Sequence, residues 1–226
     1  PTLAPTVQGS RADYVLNRPV IYEPGTTWIY DSQAPSILTK IIEIQSNMSL
    51  IDFATEYLFK PLGIYDVLWT EDESDLAFGG FGLYLTNREM AKFGQLYLQN
   101  GLWNNTQIIS EAWVTESTTE SMDPDIKFIY DVRPESSYGY LWWVYDGYYV
   151  ASGLHGQRIF VNSEYNYVLI FTSLDVTQSG ANVLHDLIVK GEMTEWRKPM
   201  SEFYLRSLPY FIMLLFVFST INFLLL

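Results

Sequence analysis

Apolar residues in the first half of the chain recur with the period of an α-helix. Four of them repeat every three or four positions and predict an amphipathic helix over residues 34–45: Ile37, Leu38, Ile41 and Ile42. Two capping boxes, Ser49–Asp52 and Thr86–Glu89, predict the starts of two more helices, and residues 109–118 predict another. Residues 1–33 are rich in proline, glycine and threonine and predict an extended loop.

The second half of the chain changes to the texture of β-strands. Residues 138–151 are aromatic and β-branched and contain Asp146-Gly147, a dipeptide that favours a two-residue hairpin turn. Residues 158–161 and 167–173 predict two further strands, and residues 182–190 predict a closing helix. Helices followed by an antiparallel meander indicate an α+β fold class rather than alternating β-α units.

The last 20 residues, 207–226, carry no charge. At about 1.5 Å per residue, a helix of this length covers roughly the 30 Å hydrocarbon core of a bilayer, so the segment predicts a transmembrane helix, with a buried core helix as the alternative. The expected organisation is a body at residues 1–192, a juxtamembrane linker at 193–206 and the membrane span. Two glycosylation triplets, Asn47-Met48-Ser49 and Asn104-Asn105-Thr106, favour a body outside the cytoplasm. Basic residues before the span favour the opposite orientation.

Composition excludes several function classes. The 226 residues contain no cysteine, which excludes disulfide frameworks, thiolate zinc sites and cysteine nucleophiles. The formal net charge of −13 argues against a nucleic-acid partner, and the presence of only two histidines argues against a histidine-rich metal site. The acidic cluster Glu71–Asp75 predicts a solvated loop, with a calcium site as the minor alternative because the EF-hand pattern is absent.

Two segments carry residues that are suited to chemistry. In the first, Glu23–Ser32, a turn leads into the first predicted helix and places the hydroxyls of Tyr30 and Ser32 near its positive end. A tyrosine can carry a proton where cations lower its pKa; the alternative is a tyrosine that packs in a loop. In the second, Ala151–Gln157, glycines would let a substrate approach the backbone, and a strand edge could offer N–H groups to an oxyanion. The alternative there is a β-bulge or a bend.

The order of these segments resembles the serine β-lactamase-related hydrolases, a family of class C β-lactamases, DD-peptidases and esterases. The resemblance runs from about Asn17 to Lys190. Its markers, in chain order, are EPGTTWIYDS, ILTKIIEIQSNMSLIDFATEYLFKPLGI, FGGFGLYLTNREMAKFGQLYLQNGLWNNTQIISEAWV, YGYLWW and SGLHGQRIFV. It implies a β-lactamase/transpeptidase-like α+β fold, in which a helical subdomain is followed by antiparallel sheet strands and a C-terminal helix.

Members of that family build their active site from three motifs. The first, S-x-x-K, holds the nucleophilic serine and a lysine. It is absent from this sequence, so the chain is expected to be the C-terminal part of a longer protein and to contain no nucleophile. The second, Y-x-N, matches Tyr30-Asp31-Ser32, which implies that Tyr30 is the proton shuttle and that Ser32 replaces the usual asparagine.

The third motif, K-T-G or H-x-G, aligns with Leu154-His155-Gly156, and Gln157 follows as in many members. The resemblance implies that His155, Gly156 and Gln157 contact the substrate and that an N–H of this strand binds the oxyanion. Leu154 stands where a cation is usual. This departure favours an ester or amide substrate over a β-lactam or a peptidoglycan carboxylate.

The implied activity is acyl transfer from an ester or amide to the upstream serine, followed by hydrolysis, in a membrane-anchored enzyme. Its substrate is expected to be a small molecule or a peptide, and no metal or organic cofactor is implied. The chain alone is expected to be inactive. Two alternatives remain open: a catalytically inactive binding or interaction module of the same family, and a purely structural membrane domain. Because family members mostly act outside the cytoplasm, the resemblance favours an extracytoplasmic body.

Overall fold

The computed structural model describes residues 9–120 and 137–174, together with positions 185, 186 and 188. The chain forms two compact units, Pro1–Val114 and Thr115–Leu226. The helices described are α1 (Arg11–Leu16), α2 (Pro35–Ser46), α3 (Leu50–Ala54), α4 (Asn87–Leu98) and α5 (Glu111–Ser117), and a π-helical turn over Thr55–Phe59 continues α3. The boundary between the units falls inside α5.

The first unit also contains two short pairs of antiparallel strands, which lie between its helices along the chain. They pair β1 (Leu68–Trp69) with β2 (Leu83–Tyr84), and β3 (Leu102–Trp103) with β4 (Thr106–Gln107). The partly buried Trp69 and Trp103 pack against the core of this unit. That core is a cluster of five buried side chains: Ala54, Phe59, Leu62, Ile64 and Leu96.

Both predicted capping boxes begin helices. The backbone N–H of Asp52 donates to Ser49 Oγ at 3.1 Å. The N–H of Glu89 donates to Thr86 Oγ1 at 3.3 Å, and the Thr86 N–H donates back to Glu89 Oε2 at 2.7 Å. These bonds satisfy backbone donors that a helix end otherwise leaves without a partner.

The prediction of an extended loop over residues 1–33 was wrong at α1. Ser10 caps this helix, because its Oγ accepts a hydrogen bond from the Asp13 N–H at 3.1 Å. Ala12 is buried, and α1 packs against α2. The spacing of Ser10 and Asp13 by itself predicts a helix start, whereas the proline- and glycine-rich composition of the surrounding residues favours a loop.

The helix predicted over residues 34–45 is present as α2, but its buried face is not the apolar one. Pro35, Ser36 and Thr39 are buried, whereas Leu38 and Ile41 are half exposed. The reason is a close backbone contact. A Cβ on Gly79 would overlap the Pro35 carbonyl oxygen and lie 2.8 Å from Thr39 Oγ1. Only small side chains of α2 fit against a backbone at that distance.

The acidic cluster Glu71–Asp75 is a hydrogen-bonded turn that ties to α1. The carboxylate of Asp72 accepts from the N–H of Arg11 at 2.7 Å, from the N–H and Oγ of Ser74 at 2.8 and 2.6 Å, and from the N–H of Leu76 at 3.2 Å. Backbone and hydroxyl donors thus occupy both carboxylate oxygens of Asp72. In the described part of the chain, no group of His, Asp and Glu side chains is arranged to hold a metal ion.

Because the pKa of Asp72 differs between the folded and unfolded chain, the free energy of unfolding is expected to change with pH in the acid range. Burial raises the pKa of its carboxyl, but the hydrogen bonds from Ser74, Arg11 and Leu76 outweigh burial and hold the pKa below its usual value. A lowered pKa stabilises the fold above the unfolded value of about 3.9, and this contribution is lost as the pH falls through the folded value. We therefore expect Asp72→Asn to lower the free energy of unfolding at pH 7 by about 1–3 kcal/mol.

Urea unfolding at pH 7 and pH 3 checks this expectation. The variant should lose less stability than the wild type between the two pH values. Asp75→Asn is the matched control, because Asp75 is exposed in the same turn and a surface change of this kind costs about 0.5 kcal/mol or less. Equal losses for Asp72→Asn and Asp75→Asn would contradict the assignment.

The second unit contains a five-stranded antiparallel sheet in the order β5-β6-β7-β8-β9. Its strands are β5 (Ser137–Tyr138), β6 (Trp143–Tyr145), β7 (Tyr148–Gly153), β8 (Gln157–Asn162) and β9 (Tyr167–Phe171). Asp146 and Gly147 form the predicted two-residue turn, since Tyr145 pairs with Tyr148 across it. The sequence of strands confirms the predicted antiparallel meander.

Buried aromatic and aliphatic side chains form the core of this sheet: Trp142, Trp143, Val150, Ile159, Phe160, Val161 and Phe171. His185 belongs to the same core, because it is buried, its ring stacks on Phe160 at 4.5 Å and its Nε2 lies 3.1 Å from Tyr167 Oη. His185 and Asp186 are helical, as predicted for residues 182–190; most of that segment lies outside the described residues.

The fold class requires one correction, which concerns the membrane. Among residues 9–120, 137–174 and the three helical positions after them, no helix is long and apolar enough to span a bilayer. The longest, α2 and α4, have 12 residues each. That is about 18 Å, against a hydrocarbon core of about 30 Å. The predicted transmembrane helix, and the membrane localisation that depended on it, are therefore corrected to an α+β fold in which no described helix could span a bilayer. Residues 193–206 and 207–226, the predicted linker and span, lie outside the described residues.

Candidate active-site elements

The loop that carries Tyr30 and Ser32 leads directly into α2, as the sequence predicted. A tight turn shapes its start, where the N–H and Oγ1 of Thr26 both donate to the Glu23 carbonyl, at 3.1 and 2.6 Å. Gly25 lies in this turn at φ +83°, a conformation that glycine adopts without strain. Tyr30 is half-buried, with its ring 6.3 Å from that of Trp28.

The surroundings of Tyr30 favour its protonated form. Burial raises the pKa of its phenol, and the neighbouring Asp31 carboxylate raises it further. The condition for proton transfer that the sequence suggested, a pKa lowered by cations, is therefore not met by this unit. Tyr30 is a neutral phenol at neutral pH, and a cation brought close to it from elsewhere would be needed to make it a base.

Asp31, rather than Ser32, connects the loop to the start of α2. Its Oδ1 accepts a hydrogen bond from the Gln33 N–H at 2.8 Å, and its Oδ2 forms an ion pair with Arg18. Ser32 is half-buried, and its carbonyl oxygen lies so close to Gly80 that a Cβ there would overlap it. Sequence reasoning missed the role of Asp31, because its partner Arg18 lies in a region predicted to be loop.

The second element is a single turn between β7 and β8. Leu154–Gly156 form one turn of 3-10 helix, in which His155 has φ +60° and Gly156 has φ +87°. A left-handed conformation is rare for a residue with a side chain, so surrounding contacts must hold it. The hydroxyl of Ser173 donates to the His155 carbonyl at 2.6 Å, and Gln157 Nε2 donates to the Ser173 carbonyl at 2.5 Å.

Arg158 holds the same turn from inside the sheet. Its side chain is buried, at 2% exposure, and its Nη1 donates to the carbonyls of Gly153 and Gln157 at 2.7 and 3.1 Å. Charge-assisted bonds of this kind are stronger than neutral ones. Sequence reasoning did not single out Arg158. Its position directly before the apolar residues Ile159–Val161 could have indicated a basic side chain with a structural role in the sheet.

Leu154 is the exposed side chain of this turn. It is 54% exposed, while the nearby guanidinium of Arg158 is buried and directed at backbone carbonyls. The surface of the turn therefore offers a side chain without charge where the family usually has a cation. Its backbone is well fixed, since the side chains of Ser173 and Arg158 bind carbonyls within the turn and on both sides of it.

The five site residues named from the sequence fall into two groups. His155, Gly156 and Gln157 come together at one end of the β7–β8 pair in the second unit. Tyr30 and Ser32 lie in the first unit.

Comparison with known proteins identifies the family to which the chain belongs. The family model described as Beta-lactamase matches residues 3–189, a range that includes both elements. The chain belongs to this family.

One relative of the chain is a 6-aminohexanoate-dimer hydrolase of Paenarthrobacter ureafaciens. It is 26% identical to the chain over 149 residues, which are 62% of this chain and 38% of the hydrolase. The chain thus spans less than half the length of that relative.

Solved structures confirm the β-lactamase/transpeptidase-like fold. A beta-lactamase from Mycobacterium bovis superposes with a TM-score of 0.58 at 18% identity, covering 75% of this chain and 66% of its own. A simvastatin synthase from Aspergillus terreus also has a TM-score of 0.58, at 14% identity, covering 78% of this chain and 58% of its own. At these identities the similarity concerns the fold alone.

Proposed function

We propose that this chain is part of a serine hydrolase that cleaves an ester or amide through an acyl-serine. The observation that carries the proposal is the Beta-lactamase family match over residues 3–189, which includes the Tyr30 loop and the His155 turn. The nucleophile would come from sequence that precedes Pro1 in a longer protein, because this chain has no S-x-x-K.

The chemistry divides between the upstream segment and the two elements of this chain. The serine oxygen attacks the acyl carbonyl carbon, and its proton moves through the lysine and Tyr30 to the leaving oxygen or nitrogen. An N–H of the His155–Arg158 segment, where the turn leads into β8, binds the carbonyl oxygen as it becomes negative. Water then attacks the acyl-serine, which releases the acid and restores the serine hydroxyl.

A rigid turn supports the proposed oxyanion role. Oxyanion binding is effective when the donors are already in place and do not reorganise during the reaction. Ser173 binds the His155 carbonyl at 2.6 Å, and Arg158 binds the carbonyls of Gly153 and Gln157 on either side of the turn at 2.7 and 3.1 Å. The Gln157 side chain in turn binds the Ser173 carbonyl at 2.5 Å. Such a fixed backbone is the property that an oxyanion donor needs.

The substrate class that we propose is an acyl compound without a carboxylate beside the reacting carbonyl. Leu154, exposed in place of a cation, would contact apolar substrate atoms and would give a carboxylate no charged partner. Because the name of the curated relative identifies a linear amide, the 6-aminohexanoate dimer, we choose that amide and simple p-nitrophenyl esters as test substrates.

The test compares this chain with the longer protein. We expect the chain alone to hydrolyse neither substrate, and the longer protein to hydrolyse at least one and to be labelled by a fluorophosphonate at the serine of an S-x-x-K sequence. Replacing that serine by alanine should abolish both hydrolysis and labelling. Absence of labelling in a folded longer protein would favour the inactive binding module instead.

A further inference from the structure

His185 is a buried titratable side chain that the proposed chemistry does not use. It is 1% exposed, and its ring packs against those of Phe160 and Tyr148, with centroids 4.5 and 4.4 Å away. Positions 185, 186 and 188 are helical, and we call them the His185 segment. The Nε2 of His185 lies 3.1 Å from Tyr167 Oη, so a hydrogen bond joins this segment to β9. The direction of that bond depends on which ring nitrogen carries the proton.

The neighbours of Tyr167 decide the direction. The Tyr165 N–H donates to Asn162 Oδ1 at 2.7 Å, which fixes the orientation of the Asn162 amide. The Nδ2 of Asn162 then donates to the phenol oxygen of Tyr167 at 3.4 Å. Burial raises the pKa of this phenol to about 12, although the bond from Asn162 lowers it, so the phenol keeps its proton at neutral pH. Its O–H therefore donates to His185 Nε2, and the ring nitrogen accepts.

An accepting Nε2 requires a neutral ring with its proton on Nδ1. A charged ring carries a proton on both nitrogens. In that state Nε2 could no longer accept from Tyr167, and the phenol would have to turn its hydrogen away from the bond. The positive charge itself would be buried with the ring. Both effects cost free energy, so the packed arrangement favours the neutral form of His185.

The charged and titratable groups around the ring do not offset this cost. The Oδ1 of Asp186 lies 3.8 Å from His185 Nδ1, which is beyond hydrogen-bond distance, and the Asp186 side chain is 35% exposed. Solvent therefore screens its attraction for a charged ring. The strands contribute side chains without a carboxylate: Tyr148 from β7, Phe160 and Asn162 from β8, and Tyr167 from β9.

We propose that His185 is a pH-sensitive latch, which in its neutral form holds the His185 segment on the sheet through Tyr167 and on protonation in mild acid releases it. A free histidine takes up a proton near pH 6.5, about the value for the released state. Below that pH the released state binds more protons than the latched state. The latch is therefore fully closed above about pH 6.5 and is progressively lost as the pH falls below it, by up to about tenfold per pH unit for one proton. This device does not depend on the proposed hydrolysis.

The chain contains two histidines, which makes the tautomer of His185 directly measurable. His155→Gln leaves His185 as the remaining imidazole, and long-range proton–nitrogen NMR of this variant distinguishes the two neutral tautomers from the charged ring. We expect the Nδ1–H tautomer at pH 7.5. We also expect the ring to be still mostly neutral at pH 6, where a free histidine is about three-quarters charged. An Nε2–H tautomer, or a charged ring at pH 7.5, would overturn the proposal.

Hydrogen exchange measures the latch itself. The backbone amides of the His185 segment are followed in the full chain at pH 7.5 and 5.0, with correction for the intrinsic effect of pH on exchange. Their protection should fall at least about tenfold in the wild type between these values. In His185→Gln, whose amide oxygen can accept from Tyr167 without titrating, the fall should stay within about twofold. His155→Gln is the matched control and should behave as the wild type, because it leaves the latch residues unchanged.

An equal loss of protection in the wild type and in His185→Gln would refute the latch. Should His185→Gln lack protection at both pH values, Tyr167→Phe decides the question. This variant keeps the aromatic ring and removes the hydrogen that His185 accepts, so the imidazole should become charged at a higher pH than in the wild type. An unchanged titration of His185 in Tyr167→Phe would show that the bond to Tyr167 does not control its protonation, and the proposal would fail.

Discussion

Replacing Tyr30 by phenylalanine in the longer protein should lower kcat by about 10²–10⁴-fold, the range expected when a general acid–base group is lost. The ring remains in Tyr30→Phe and only the hydroxyl is removed, so the packing beside Trp28 is preserved. The measurement is steady-state hydrolysis of a p-nitrophenyl ester, with a thermal melt to verify that the variant is folded.

The control for this prediction is Tyr22→Phe. Tyr22 precedes the same loop and is 49% exposed, and it has no place in the proposed mechanism. Removing the Tyr22 hydroxyl should leave kcat within about twofold of the wild-type value, as for an ordinary surface change. A Tyr30→Phe variant as active as Tyr22→Phe would refute the shuttle role.

The pKa of Tyr30 sharpens the prediction. Burial and Asp31 raise it in this unit, so the phenol does not ionise by itself at neutral pH. If the upstream lysine lies against the phenol in the longer protein, its charge lowers that pKa. We therefore expect the ultraviolet titration of Tyr30, read as the difference between the wild type and Tyr30→Phe, to occur at lower pH in the longer protein than in the chain.

The second large effect concerns stability. Gly101→Ala should lower the free energy of unfolding by about 2–5 kcal/mol, from backbone strain and overpacking together. Gly101 lies just after α4 at φ +80°, and its N–H donates to the Leu96 carbonyl at 2.8 Å. A Cβ there would overlap the carbonyl oxygen of Ile109, and the Ile108 N–H ties the same backbone to Gly101 with a bond of 2.9 Å. The atom in the way belongs to the backbone, so a change in side-chain conformation cannot relieve the overlap.

Gly25→Ala separates the two contributions. Gly25 has nearly the same backbone angle, φ +83°, but a Cβ there would meet nothing within 4 Å. It should cost about 1–2 kcal/mol from strain alone. Urea unfolding of both variants measures the difference, and equal costs would show that the contact between Gly101 and Ile109 is not the cause.

Elements specified by neighbouring residues could be predicted from the sequence. The helix starts at Ser49 and Thr86 and the hairpin turn at Asp146-Gly147 are in place. In each of them, the deciding hydrogen bonds or backbone angles involve residues at most four positions apart. The helix that begins after Ser10 obeys the same rule, since its cap is formed by Ser10 and Asp13, three residues apart.

Features that depend on distant residues could not be predicted. Which face of α2 is buried depends on the backbone at Gly79, about forty residues later in the chain. The left-handed turn at His155 is bound by the hydroxyl of Ser173, 18 residues later, and Arg158 is buried only once the sheet has formed around it. Periodicity shows that a helix has two faces, but it does not show which face meets the rest of the protein.

The sequence by itself determined the types of element, the exclusion of thiol chemistry and the two motifs at Tyr30 and His155, because local hydrogen bonds and side-chain identity suffice for them. Only the tertiary structure decided that Tyr30 is a neutral phenol beside Asp31, that the guanidinium of Arg158 is buried, and that the apolar side of α2 is exposed. The first two properties arise from burial in the folded chain, and the third arises from the contact between α2 and the distant backbone at Gly79. They are set when the chain folds and cannot be read from the order of its residues alone.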